Sequence, residues 1–549
     1  MTDLLQALLT KRGILPTEWE AFLHPSFERD THDPFLMRGM EVAVTRIIKA
    51  KEAGEKIVIF GDYDADGIPA TAVLIRAFKE AGIEATPLIP TRAAGYGLQP
   101  AVVEEIIALK AQLLITVDNG TVAQTEIAAL KVAGIETIVC DHHQPQDGHI
   151  ATDALAILNP KQSDCQYPFK ELCGCAIAWK LAVALYTRLE IKTDRLKWLL
   201  DLVALSTVAD MVPLLGENRV LVVFGLKVLA QTRNAGLQAL AGLAAVDLTK
   251  VTTSDIGYRL APRLNAPSRM HEEVVDGSNV SLELLTTENS LAAQTAAEYL
   301  HDCNIRRQSL LETQLKEALA QAETFGDNRV LVVYDAQWSS GVIGLLAGRL
   351  LEKYHRPVIV LAGEEGQIKG SVRSIDGVDV GELLEAQSAL LARFGGHAKA
   401  GGLTLLESND VAVESFRQAC NAWAQTQKLE IADMDARCQV EPDQEVPLSI
   451  LTEDLYVELS QLAPYGIGFP EPVLASRCRI ASARAVGSSG AHLSCFLSDG
   501  LVQKKAIGFG MGTQTISTEA EYNVVYTLQQ EEWQGRVSLS CHLKRAQVA

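Results

Sequence analysis

The chain has 549 residues, 48% of them hydrophobic and 21% charged, so several cores can be buried and wholesale disorder is excluded. Its 49 basic residues against 68 acidic ones give a net charge of −19, which excludes charge-only binding of nucleic acid over the whole surface but leaves room for a local basic channel. No run approaches the ~18 apolar residues of a membrane span, no secretory pattern stands at the N-terminus, and the 10 scattered cysteines form no CxxC pair, so a cytoplasmic protein with reduced thiols is expected.

Residues 1–50 read as helical connecting segments, broken near Pro16, Pro25 and Pro34. From 51 to 215 short apolar runs alternate with helical stretches. The runs are 57–60, 113–117, 137–140 and 154–158, and a helix over 71–81 follows the first. Continuous apolar runs separated by helices predict a parallel sheet covered on both faces. Residues 216–325 are rich in Leu, Ala and Glu and read as a helical connector, with 281–323 as one long helix or two. A second, smaller α/β unit is expected over 326–406: a strand at 329–334, a glycine loop (Ser340, Gly341, Gly344), a helix at 345–354 and a strand at 357–361. Residues 407–436 read as a linker. Over 437–549, short alternating segments such as 478–485, 492–497 and 522–529 predict a small antiparallel barrel or sandwich.

The acids fall where the strands end. Asp62, Asp64 and Asp66 lie in GDYDADG after the first run, Asp118 in VDNG after the second, and Asp141, His142 and His143 in CDHH after the third. In a parallel α/β sheet these points share the carboxyl edge, where ligands bind. Asp210, in TVADMVPL, ends a further apolar segment and is placed with them. Carboxylates gathered in one cleft repel one another unless cations neutralise them, and mixed Asp and His ligands suit Mn²⁺ well, and Mg²⁺ or Fe²⁺ less specifically. Asp64 and Asp66 are spaced to face two ions, with Asp118 between them. Two such ions activate water for displacement at phosphorus. A calcium loop is a poor fit, because Val73 stands where its closing Glu belongs.

GDYDADG, VDNG, CDHH and ADMVPL, in that order, resemble the DHH phosphoesterase superfamily. WSSGVIG, GSVRS and FGGHAKAGG resemble its companion DHHA1-like domain, and APRLNA and PYGIGFPEPV point to its branch of single-strand-specific 5′→3′ DNA exonucleases. The resemblance implies an α/β fold. A parallel-sheet DHH domain would be followed by a helical connector, a smaller DHHA1-like domain and a C-terminal OB-like barrel. It implies two Mn²⁺ or Mg²⁺ ions held by Asp64, Asp66, Asp118, His142 and Asp210, with Asp62 as a ligand or an orienter of one. It implies that His142, His143, Asp66 and Asp118 would carry the chemistry, with His143 meeting the scissile phosphate or the leaving group. Ser371, Arg373 and His397, with the tight turn at Gly396, would hold the terminal phosphate, and Arg263 and Asn265 the backbone nearby. A helicase and a single-strand-binding protein are the partners it implies, alongside single-stranded DNA itself. The sequence departs from the family pattern at Phe60, where some members carry His, at Ser339, where His is common, and at Phe469, where Asn is common. Two rival readings share the core: a phosphodiesterase of short oligonucleotides or cyclic dinucleotides, and an inactive replication scaffold. The first needs no basic barrel, and the second would have lost its acids and histidines.

An acidic chain needs a local footprint to hold DNA. Between 477 and 505 the basic residues are Arg477, Arg479, Arg484, Lys504 and Lys505, and Asp499 is the one acid. On an OB-like barrel this makes a basic stripe for single strands, with Phe496 and Phe509 as candidate stacking residues.

Overall fold

The computed structural model describes residues 2–549 other than 92–94, 96, 147, 271–276, 488, 534 and 535. The first sheet is built from β1 (Ile57–Gly61), β2 (Ala85–Leu88), β3 (Leu113–Val117), β4 (Glu136–Cys140) and β5 (Ala156–Leu158). All pairings are parallel, in the order β2-β1-β3-β4-β5. Every residue of β1 and β3 is buried because both faces are covered. Ile57 and Ile59 join the core under helices Gly67–Glu80 and Gly174–Arg188, while Val58 and Phe60 point the other way, onto helices Pro100–Ala108 and Gln124–Val132. This period of two explains an unbroken apolar run in a two-sided sheet. β2 was not legible in the sequence: it is an edge strand, half exposed and interrupted by Pro87.

The connector is helical as expected. The stretch 281–323 holds two helices, Gly277–Thr286 and the 35-residue Ser290–Thr324, parted where the Asn289 side chain caps the amides of Leu291 and Ala292. The second α/β unit contains β6 (Leu331–Asp335), β7 (Val358–Glu364), β8 (Gln367–Arg373), β9 (Leu391–His397) and β10 (Ala400–Leu405), in the order β6-β7-β8-β10-β9. The expected linker over 407–436 is corrected here. It forms helices Asp410–Thr426 and Ile431–Arg437, and Val413, Phe416, Cys420 and Met434 are buried in this unit's core. The first helix is amphipathic, with apolar residues recurring every three to four positions.

The C-terminal unit consists of β11 (Gln444–Glu445), β12 (Leu474–Val486), β13 (His492–Ser498), β14 (Gln503–Gly508), β15 (Glu521–Trp533) and β16 (Arg536–Val548). β12 pairs with both β13 and β15, which closes β12 to β16 into a five-stranded barrel, and β14 pairs with β16 in parallel. The barrel is therefore OB-like but not wholly antiparallel. The N-terminal segment is a strap between units. Leu5, Leu8, Leu9 and Phe22 complete the barrel's core, whereas Met37, Met40 and Ile47 pack under the first sheet. Arg219, buried in the connector, fastens the same junction by donating to the carbonyls of Phe22, Leu462, Ala463 and Pro464. Phe469 packs against Phe22, which carries this guanidinium on its ring, and is fully buried, which accounts for an apolar residue there: it is core, not a strand contact.

Candidate metal centre

The chain leaves β1 through Asp62 to Asp66 and enters helix Gly67–Glu80, whose first turn Asp64 caps by accepting the amides of Asp66 (2.9 Å) and Gly67 (3.1 Å). After β3, Asp118 adopts φ +61°, a left-handed conformation that Asp tolerates better than most residues. After β4, the Asp141 carboxylate accepts the backbone amides of His142 (2.8 Å), His143 (3.1 Å) and Thr121 (2.9 Å), so it shapes its own loop. It also accepts a hydrogen bond from His143 Nδ1, 2.7 Å away. Asp210 follows helix Leu200–Ala209. β1 and β3 are the pair at which the strand order reverses, the place where open α/β sheets form a ligand crevice.

These side chains converge. His142 Nε2 lies 3.1 Å from Asp118 Oδ1, 3.6 Å from Asp210 Oδ2 and 3.7 Å from Asp66 Oδ2. Three sets have ligand atoms within 4.8 Å of one another: Asp62, Asp64 and Asp118; Asp66, His142 and Asp210; and Asp118, His142 and His143. Asp118 belongs to the first and third, which puts it between the acids Asp62 and Asp64 and the two histidines. Asp62, Asp66, Asp118 and His142 are buried.

Burial, then repulsion from Asp66, Asp64 and the other acids, pushes the Asp118 carboxyl well above its ordinary range. The same causes push Asp210 up to about 9. Burial lowers His142. Burial would also lower His143, but its hydrogen bond to Asp141 and the charges of Asp141, Asp210 and Asp66 raise it to about 9. Asp141 is held well below the usual carboxylate range: burial opposes this, and the hydrogen bond from His143, the charges of His143 and His142 and the hydrogen bond from Thr121 together outweigh it. Both ring nitrogens of His142 and Oδ2 of Asp210 are buried and accept or donate no hydrogen bond among the described residues. Close carboxylates that raise one another's proton affinity, beside a buried imidazole with no hydrogen-bond partner, are a donor set that a divalent cation satisfies and a hydrogen-bond network does not. Asp62, Asp64, Asp66, Asp118, His142 and Asp210 could hold such ions. Phe60 adds nothing to them, since its side chain is in the apolar core on the other face of the sheet.

The groups behind the cluster were not visible in the sequence. Asp66 accepts the amides of Gly174 (2.6 Å) and Cys175 (2.9 Å) at the start of helix Gly174–Arg188, and the Ser206 hydroxyl. Gly174 is required by space, because a Cβ there would lie 2.7 Å from the Asp118 Cβ. Asn265, expected beside a DNA backbone, accepts the Ala65 amide at 2.8 Å and so braces the acidic loop. Arg263 is half-buried, donating to His301 Nδ1 at 3.2 Å and to the Arg259 carbonyl.

The companion unit sets Ser371 and Arg373 on β8, with Arg373 Nη1 3.4 Å from Ser371 Oγ and 2.9 Å from the Val372 carbonyl. Burial lowers the pKa of Arg373. Both side chains abut Gly344, where a Cβ would meet them at 3.2 and 3.3 Å. His397 ends β9 in solvent. Gly396 has φ +150°, and a Cβ would lie 2.3 Å from the Ala400 carbonyl, so its own hairpin requires the glycine. On the barrel, the basic stripe is more neutralised than its sequence suggests. Arg477 pairs with Glu521 (2.7 Å) and Lys505 with Glu531 (2.5 Å), while the Lys504 amine donates to the Leu451 carbonyl (2.5 Å). Arg479 is exposed, as are Phe496 and Phe509. A cavity of about 1080 Å³ is lined by Asn265, Arg269, Arg307, Met211, Tyr258 and, on β16, Lys544.

The chain matches the family models for the DHH family N-terminal domain over residues 56–207, the DHHA1 domain over 327–426 and the RecJ OB domain over 442–545. It is 34% identical to the single-stranded-DNA-specific exonuclease RecJ of Bacillus subtilis strain 168, over 100% of this chain and 68% of that one. It is 35% identical to the protein of that name from Escherichia coli K12, over 92% of this chain and 89% of the other. Among solved structures, RecJ from Thermus thermophilus in complex with Mn²⁺ superposes with a TM-score of 0.84 at 29% identity, covering 99% of this chain and 75% of that one. A second solved structure of the same protein is in complex with Mg²⁺. The three domains stand in the same order along one chain, and the likeness to RecJ spans its whole length: this protein belongs to the RecJ family of DHH phosphoesterases.

Proposed function

We propose that the chain is a divalent-metal-dependent exonuclease that hydrolyses single-stranded DNA from its 5′ end and releases 5′-mononucleotides, in DNA recombination and repair. The observation that carries this reading is the placement of Asp118 and His142, buried and 3.1 Å apart, between two sets of acids at the carboxyl edge of the sheet. Relatives across the whole chain are named single-stranded-DNA-specific exonucleases, which supplies the substrate class.

Asp62, Asp64, Asp66, Asp118, His142 and Asp210 would hold two Mn²⁺ or Mg²⁺ ions. Bound there, the ions lower the pKa of water and offset charge developing on the phosphoryl oxygens. Asp118 orients both sets. His143 is held at Nδ1 by Asp141, so its Nε2 is the atom that meets the leaving 3′ oxygen and hands it a proton. Ser371, Arg373 and His397 hold the 5′ phosphate, with the Arg373 fork taking two of its oxygens. Arg263 lies along the backbone, and Asn265 keeps the acidic loop in register beneath it. The cavity lined by Arg269, Arg307 and Lys544 gives the strand a route from the barrel, where Arg479, Lys504 and Lys505 receive it. A duplex carries no exposed base faces for Tyr258 and Met211 to meet, which favours single strands without base readout. A helicase that supplies single strands and a protein that coats them are the partners of this reading, and the bacterial cytoplasm, at the nucleoid, its place. No helix among the described residues is long and apolar enough to cross a membrane.

The test is a single-stranded oligonucleotide labelled at one end or the other, with Mn²⁺ or with chelator, beside its duplex and a dinucleotide. Mn²⁺-dependent release of labelled mononucleotide from the 5′ end of the single strand is the expected result. Cleavage of the dinucleotide alone would replace this reading with a small-substrate phosphodiesterase, and no cleavage with a scaffold.

A further inference from the structure

Asp66 is gripped from behind the cluster. Oδ1 accepts the Cys175 amide at 2.9 Å and the Ser206 hydroxyl, and Oδ2 accepts the Gly174 amide at 2.6 Å. Ser206 is fully buried on helix Leu200–Ala209. Each carboxylate oxygen offers two lone-pair sites. Those of Oδ1 are both occupied by donors, while one on Oδ2 remains. Oδ2 is also the oxygen 3.7 Å from His142 Nε2. We propose that Ser206 is a positioning residue that restricts Asp66 to binding a metal through Oδ2 alone and thereby sets the affinity of the centre for divalent cations. The inference rests on reading this cluster as the metal centre. Without the hydroxyl, Oδ1 regains a lone pair, the carboxylate can rotate between its two amide donors, and the geometry shared with His142 and Asp210 loosens. Groups that orient a ligand in this way commonly govern metal affinity without touching the metal.

The experiment titrates Mn²⁺ into the DNA-free full chain and reads free Mn²⁺ by electron paramagnetic resonance, then repeats the titration as activity. Ser206→Ala is expected to weaken Mn²⁺ binding about 10- to 100-fold. The Mn²⁺ needed for half-maximal activity rises by the same factor, and the rate at saturating Mn²⁺ recovers to near wild type. Ser206→Cys keeps the shape with a weaker donor, falls between the two, and decides the matter if the Ala variant does not fold. Thr207→Val is the packing control: the Thr207 hydroxyl donates to the Val203 carbonyl (2.7 Å) and lies 3.5 Å from Cys173 Sγ. It is expected to bind Mn²⁺ as wild type does. Wild-type affinity in Ser206→Ala, or in Ser206→Cys where that stands in, would overturn the proposal. So would an equal loss in Thr207→Val, which assigns the effect to packing. Absence of Mn²⁺ binding by the unaltered chain would instead overturn the metal centre itself.

Discussion

The edge of the first sheet and the surface of the barrel handle charge in opposite ways. At the sheet edge Asp62, Asp66 and Asp118 are buried within reach of one another, and Asp118 and Asp210 are driven toward their neutral forms. On the barrel the charges are of mixed sign and stand in solvent, with Arg477 facing Glu521 and Lys505 facing Glu531 across the strands. Like charges buried together need a counter-cation, and losing one disturbs the whole set. Exposed opposite charges are screened, and each pair contributes only about 0–1 kcal/mol. All-or-none effects belong to the first region and graded effects to the second.

The largest effect is expected from Asp118→Asn. It takes a charge from two ligand sets at once and should cost several kcal/mol of barrier, about 10³-fold or more in rate. The same change relieves repulsion among buried acids, so the chelator-treated variant should melt at a higher temperature than wild type. Activity within about tenfold of wild type at saturating Mn²⁺ would break the contrast. Gly174→Ala comes next. Its Cβ would sit 2.7 Å from the Asp118 Cβ and 2.9 Å from Oδ1. Relieving that overlap moves Asp118, and a misplacement of about 1 Å in a catalytic group costs about 10²-fold, to be read as kcat on a single strand with the circular dichroism spectrum unchanged.

The third prediction concerns pH. Asp210 and His143 are each raised to about 9 and Asp118 is raised well above its ordinary value, whereas the unfolded chain releases these protons near about pH 4 for carboxyls and about pH 6.5 for His. Between about pH 7 and about pH 9 the folded, metal-free chain therefore binds more protons than the unfolded one, and stability falls as pH rises. Asp141, held low, adds stability that is already complete in this window, and His142, lowered, is neutral in both states. Melting temperatures of the chelated protein should decline over this range, and Mn²⁺, which binds the deprotonated forms, should remove the decline. The smallest effect is assigned to Glu531→Gln. Freeing Lys505 should tighten single-strand binding about two- to fivefold at low salt and steepen the salt dependence by about one phosphate contact. An unchanged slope would mean that Lys505 faces no strand.

Much of this arrangement was legible in the sequence because an acid at the end of an apolar run needs no tertiary information to be placed. Asp62, Asp118 and Asp141 each follow a strand directly, and a parallel sheet brings such points together. What was not legible depends on pairs distant in sequence. Ser206 reaches Asp66 from 140 positions away, and Gly174 acts through a backbone amide and a missing side chain, neither of which has a compositional signature. The basic stripe is more neutralised than it reads for the same reason: Glu521 and Glu531 lie outside the segment 477–505, on β15, yet pair with Arg477 and Lys505. Asn265 carries a motif signal, yet only the fold shows its amide oxygen committed to the Ala65 backbone. The helix Asp410–Thr426 lies in a segment whose polar composition reads as a linker, although its apolar residues recur with helical periodicity and are buried.

Anomalous diffraction from crystals of the full chain soaked in Mn²⁺, collected at the manganese edge, tests the central claim most directly. The account predicts two peaks, one on either side of Asp118, with Asp66, His142 and Asp210 around one of them. Peaks confined to other sites, or a single peak that leaves Asp118 and His142 unengaged, would contradict it.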